Sequence, residues 1–197
     1  MIAHVLRACT MLLAGLAFAA ANAQADAARA AYDREDYATA IMLYAPRAER
    51  GDAEAQYRMG MMARFGWGMD KEVAVAVRWL QLAAEQRHPQ AQAELGTMYR
   101  LGRGVPEDMQ QAARLLRAAA EAGVGIAQLS IGRMYRDGIG VARDPVEAYA
   151  WLTAAGENGV MDGFAHRTEL AKLMTPDQIA NGKRLAAQRG RKEIEAK

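Results

Sequence analysis

This chain has little of what chemistry at a catalytic centre needs. In 197 residues it has one cysteine, one serine and three histidines. A Ser-His-acid arrangement would have to pair Ser130 with His88 or His166. Ser130 falls in the middle of a helical pattern beside Ile131, and the two histidines sit at unrelated places in the chain. No His/Cys spacing matches a metal-ligand set. Catalytic, cofactor-binding and metal-ligating residues are therefore all expected to be absent. No apolar run approaches the roughly 20 residues that span a bilayer. Charge of one sign is also missing: the formal net charge is +2, too near balance to draw the chain to nucleic acid or anionic lipid.

The N-terminus does carry an address. Arg7 supplies a positive start, Met11 to Ala20 is apolar, and Ala21-Asn22-Ala23 is a small-x-small processing site. Residues 1–23 read as a signal peptide, with cleavage after Ala25 an alternative. Its removal takes away Cys9, the only cysteine. The processed chain would then be stabilised without disulfides, although an exported protein meets conditions that permit them.

Periodicity dominates the rest. Leu95-Gly96-Thr97-Met98-Tyr99-Arg100-Leu101-Gly102-Arg103-Gly104-Val105 recurs as Ile131-Gly132-Arg133-Met134-Tyr135-Arg136-Asp137-Gly138-Ile139-Gly140-Val141. An earlier copy is Met59-Gly60-Met61-Met62-Ala63-Arg64-Phe65-Gly66-Trp67-Gly68-Met69. The spacing is 36 residues each time, with no gap, which is the mark of a stacked repeat array. Within a unit, Ala91, Leu95, Met98 and Tyr99 share one helical face. So do Ala112, Leu115, Leu116 and Ala119. Each unit is thus two antiparallel helices, and the fold class is all-α: a right-handed α-solenoid.

The organisation follows. Residues 24–51 form an N-terminal helical hairpin, in which Pro46 predicts a kink or break near Ala45. Units occupy 52–88, 89–124 and 125–160. Residues 161–190 hold a partial unit and a capping helix opened by Thr175-Pro176-Asp177-Gln178, and 191–197 form a charged tail. Gly60, Gly96 and Gly132 lie inside first helices, at about 1 kcal/mol each relative to Ala. Their recurrence predicts a neighbouring helix too close for a Cβ. Gly66, Gly102 and Gly138 suit the left-handed residue that ends a helix. The glycines two further on are expected to keep the turn open. Asp108 and Asp144 read as caps of second helices, whereas Glu72 is the weakest start.

The pattern Ala-x-x-x-(Leu/Ile/Met)-Gly-x-x-Tyr-x-x-Gly-x-Gly-Val, then Ala-x-x-(Trp/Leu)-x-x-x-Ala-Ala-Glu, resembles the Sel-1-like repeat of the tetratricopeptide-like solenoids. Ala63 stands in place of Tyr, Met69 of Val and Leu115 of Trp. The resemblance implies a non-enzymatic scaffold or adaptor in the bacterial cell envelope, periplasmic after export, holding protein partners on a concave helical face. Two alternatives come with it. One is a hydrolase or binder of cell-wall fragments, described for cysteine-rich relatives whose paired cysteines are missing here. The other is a periplasmic regulator that sequesters a membrane sensor.

Four residues are candidates for partner contact. Arg64, Arg100 and Arg136 form a column at the 36-residue spacing, either a ladder for an acidic extended partner or arginines favoured near helix C-termini. Trp67, on a turn, is either an interface anchor or buried against Phe65 or the first hairpin. Gln56, Gln92 and Gln128 form a second column, whose amides are expected to bond the neighbouring unit's backbone. Trp79 and Trp151 are expected in the core.

Overall fold

The computed structural model describes residues 22–195, with side chains through residue 189. The export segment, up to residue 21, lies outside the described residues. Among the described residues ten helices follow one another: α1 (22–33), α2 (Tyr37–Glu49), α3 (Ala53–Phe65), α4 (Val73–Glu85), α5 (Pro89–Leu101), α6 (Met109–Glu121), α7 (Gly125–Asp137), α8 (Pro145–Glu157), α9 (Asp162–Ala171) and α10 (Pro176–Glu195). The described residues contain no strand. From α2 on, each helix packs on the next through α9, and α10 folds back onto α8. The result is the expected α-solenoid of helix pairs.

The internal glycines set how closely a pair packs. A Cβ on Gly60, Gly96 or Gly132 would meet Cγ of Leu80, Leu116 or Leu152, at 2.9, 2.9 and 3.0 Å. Those leucines are themselves one column of the repeat, each fully buried. The propensity lost inside α3, α5 and α7 is thus exchanged for a close contact with the partner helix.

The paired turn glycines do two jobs. Gly66, Gly102 and Gly138 end α3, α5 and α7 with φ of 78, 60 and 71°. The second glycines also have positive φ, but they do more than keep the turn open. A Cβ on Gly68 would strike Tyr37 of α2, one on Gly104 would strike Val73 of α4, and one on Gly140 would strike the Met109 carbonyl of α6. Each turn therefore seats on the first turn of the previous second helix. Met69, Val105 and Val141, which follow these turns, pack against the core clusters.

The caps largely follow the sequence. Asp108 accepts from the backbone of Gln110 and Gln111, and Asp144 from Val146 and Glu147. Glu72 makes no capping bond. Thr175 and Gln178 exchange the reciprocal bonds of a capping box, at 2.9 and 3.2 Å. Two details differ from the sequence reading. α2 continues through Pro46, because the proline lies in the last turn, where losing one backbone donor does not end the helix. α10 runs past Arg189 to Glu195. It is held to α8 by Arg189, which donates to Glu147 at 2.6 Å and lies 3.8 Å from the Trp151 ring centre.

Candidate partner-binding surface

Arg64 and Arg136 of the column each meet a residue of the following unit, whereas Arg100 bonds none there. Arg64 donates to Glu94 and lies over the Phe65 ring. Arg136 grips Asp137 through two bonds of 2.7 and 2.8 Å and lies 3.3 Å from Nδ1 of His166. That guanidinium holds the Asp137 carboxyl below its ordinary pKa. Glu94 and His166 each stand 30 residues beyond their arginine, and the matching position for Arg100 is Ser130. Ser130 spends its hydroxyl on the Ile126 carbonyl, at 2.8 Å. Arg100 makes no ion pair or hydrogen bond among the described residues, and its Nε is buried without a partner. The column thus contains two satisfied cations flanking an unsatisfied one. Beyond Arg136 a cleft of about 560 Å³ opens, lined by Arg136, Asp137, Arg143, Glu169 and Lys172 among others.

Trp67 is packed within the protein. Its ring stacks on Tyr37 at 5.3 Å and on Phe65 at 4.8 Å, and meets Tyr32 edge-on. The turn of the first unit is thereby joined to the α1–α2 hairpin. Arg58 adds to this seam by lying over Tyr32 at 4.5 Å while donating to Glu54.

His88 carries more than its place in a connection suggests. Its Nδ1 accepts from the Ala91 backbone and caps α5, its Nε2 meets Glu54 at 2.9 Å, and its ring stacks on Tyr57. The bond from His88, aided by Arg58, brings the Glu54 pKa down to about 2. Histidine immediately before a proline that opens a helix is the one hint of this in the sequence.

The glutamine column behaves as its spacing suggests. Side-chain amides of Gln56, Gln92 and Gln128 donate to the carbonyls of Ala48, Ala84 and Ala120, at 3.1, 3.3 and 3.1 Å. Each clips a first helix to the end of the preceding second helix. Trp151 is buried and Trp79 packs at the edge of the first core cluster. Ser130 bonds its own helix, His88 bonds Glu54 and His166 meets Arg136, so none of the three is arranged as nucleophile and base. Among the described residues, no three His, Cys, Asp or Glu side chains gather as metal ligands, and no helix is long and apolar enough to cross a membrane.

Stacked helix pairs of constant length, clipped together by a repeated glutamine and seated through repeated glycines, define a helical-repeat protein. The Sel1 repeat family matches at residues 53–88, 89–124 and 125–160, so the chain belongs to that family. Sel1 repeats are helical scaffolds that generally mediate protein–protein interaction. Among solved structures, the chain is similar to a protective antigen present in uropathogenic Escherichia coli strains that displays an SLR fold. The identity is 38%, the TM-score 0.70, and the match covers 77% of this chain and 32% of that one. It is also similar to a Sel1 repeat protein from Oxalobacter formigenes, at 28% identity and TM-score 0.68, over 71% of this chain and 58% of the other. The chain thus spans about a third of the first and somewhat over half of the second. A search of curated proteins returned no match.

Proposed function

We propose that this protein is an exported scaffold of the bacterial cell envelope, periplasmic after processing, that holds an extended acidic segment of a protein partner on the concave face formed by α3, α5 and α7. The observation that carries the reading is Arg100. A guanidinium that makes no ion pair, set between two ion-paired arginines, keeps its terminal N–H groups for a carboxylate. Arg64 and Arg136 flank it and fix its setting; their charges are already partly spent on Glu94 and Asp137. Trp67 contributes by fixing the turn above the column. Export is supported by the Arg7, Met11 to Ala20 and Ala21-Asn22-Ala23 pattern. Cleavage after Ala23 or Ala25 leaves Ala28 and Ala31 of α1 in place, and both are fully buried in the first core cluster.

The test is site-specific photocrosslinking in cells from a probe placed at Thr97, beside Arg100 on α5. The expected result is a discrete adduct with an envelope protein that is lost in Arg100→Gln and retained in Arg100→Lys at reduced yield. An adduct unchanged in a folded Arg100→Gln variant removes the acidic-segment reading. Turnover of a cell-wall substrate by the purified protein, lost in Ser130→Ala, would replace the scaffold with a hydrolase.

A further inference from the structure

A second surface, on the side of the second helices, departs from the repeat in a concerted way. A cleft of about 790 Å³ lies between α4 and α6, with Gln92, Leu95 and Tyr99 of α5 at its base. That volume is in the range of sites that take small ligands or peptide side chains. Three positions explain why it is open here. The indole column Trp79, Trp151 has Leu115 as its middle member, and Leu115 lines the cleft. Elsewhere the indole is used inside the protein: Trp79 packs on the first core cluster, and Trp151 is buried under Arg189.

Gln86 donates to the Gln56 amide oxygen and Asn158 to that of Gln128, at 2.8 and 2.9 Å. The matching residue for Gln92 is Ala122, which has nothing to donate and also lines the cleft. Gln92 is nine-tenths buried, and its amide oxygen accepts no bond from the described residues. Finally, Tyr135 receives Arg117 on its hydroxyl, whereas the residue placed likewise toward Tyr99 is Gln81, which makes no such bond. Three side chains that fill or satisfy the neighbouring grooves are thus smaller or differently used around one cleft.

We infer that this cleft is a binding site for an aromatic side chain presented on the backbone of a partner peptide. The ring takes the place of the missing indole against Leu95, Tyr99 and Leu115. A peptide N–H takes the place of the missing amide and donates to Oε1 of Gln92. The rim carries Arg87 and Arg114 against Glu85 and Glu121, so it selects for no net charge. An aromatic anchor beside one acceptor that the protein leaves to solvent is an arrangement that concentrates binding energy at interfaces. This site is separate from the arginine column, and neither reading depends on the other.

The protein supplies its own control. Leu115→Trp with Ala122→Gln restores the repeat residues, so the ring and the amide that fill the slot come from within. The probe is N-acetyl-L-tryptophanamide, titrated into isotope-labelled full-length chain and followed by amide resonances. The expected result is saturable movement of the Gln92 side-chain amide and of the Leu115, Ala118 and Ala122 backbone signals, with a Kd of roughly 0.1–1 mM for so small a probe. The double variant is expected to be folded, with a raised Tm, and to bind at least about tenfold more weakly. No saturable shift at these residues in the wild-type chain overturns the proposal. So does equal binding by the double variant, or equal affinity for N-acetyl-L-alaninamide or N-acetyl-L-leucinamide, which would make the slot indifferent to an aromatic ring.

Discussion

Substituting alanine for Gly102 and, separately, for Gly140 should distinguish backbone strain from inter-unit packing. Both glycines hold positive φ, 60 and 70°. An L-residue in that region costs about 1 kcal/mol or somewhat more. At Gly102 little else happens, since the nearest atoms to a new Cβ are those of Glu107 at 3.7 Å. At Gly140 the Cβ falls on the Met109 carbonyl, with the carbonyl carbon at 2.6 Å and the Met134 methyl at 3.0 Å. Backbone cannot swing aside as a side-chain tip can, so overpacking adds about 1–3 kcal/mol. Gly102→Ala should therefore cost about 1–2 kcal/mol and Gly140→Ala about 2–5 kcal/mol. For a chain of this size that corresponds to roughly 2–8 °C against roughly 4–20 °C in Tm. Helical circular dichroism through thermal and urea denaturation reads both, with unchanged m-values showing that the folded state itself is retained. Equal losses, or a larger loss at Gly102, would refute the claim that each turn is seated on the preceding second helix.

Three further outcomes are expected. The Glu54 pKa is lowered on folding, so its contribution is fully present above the unfolded carboxylate value, near 4.5, and is lost as pH falls toward about 2. Glu54→Gln should be less stable than wild type by about 1 kcal/mol at pH 6, a figure reduced for its solvent exposure, and the two should converge near pH 2 in urea titrations. Gln128→Ala removes a fully buried side chain together with its bonds to the Ala120 carbonyl and Asn158, and should cost about 1–3 kcal/mol by the same titration. Arg189→Ala removes the cover from Trp151 and the ion pair to Glu147, which should shift the tryptophan emission to the red and free α10 from α8 in hydrogen exchange. Unchanged emission and protection would show that α10 is held by other contacts.

Much of the architecture could be read before any coordinates, because a solenoid is a local object. Helix lengths, caps and the close approach at Gly60, Gly96 and Gly132 recur at a fixed stride, and a contact made once is made again 36 residues later. The glutamine clips were readable for the same reason: one spacing, repeated three times, has to satisfy one neighbour. The candidate surface was less readable. The arginine column is regular, but what each arginine meets is not, since Glu94, Ser130 and His166 occupy the facing positions. The register that brings residues 30 apart into contact is a property of how units stack, and no pattern within a unit contains it.

By itself the sequence determined the all-α repeat, its period, the turn chemistry and the scarcity of nucleophiles. Only the tertiary structure decided that Arg100 alone of its column lacks a partner, that Trp67 is spent joining the first unit to the leading hairpin, and that Leu115 and Ala122 open the same cleft. The physical reason is the range of the interactions. Propensity, capping and amphipathic periodicity act within a few residues and are written in order along the chain. Satisfaction of a buried charge or amide, and the filling of a groove, depend on side chains brought together from separate units and on what each of them already bonds.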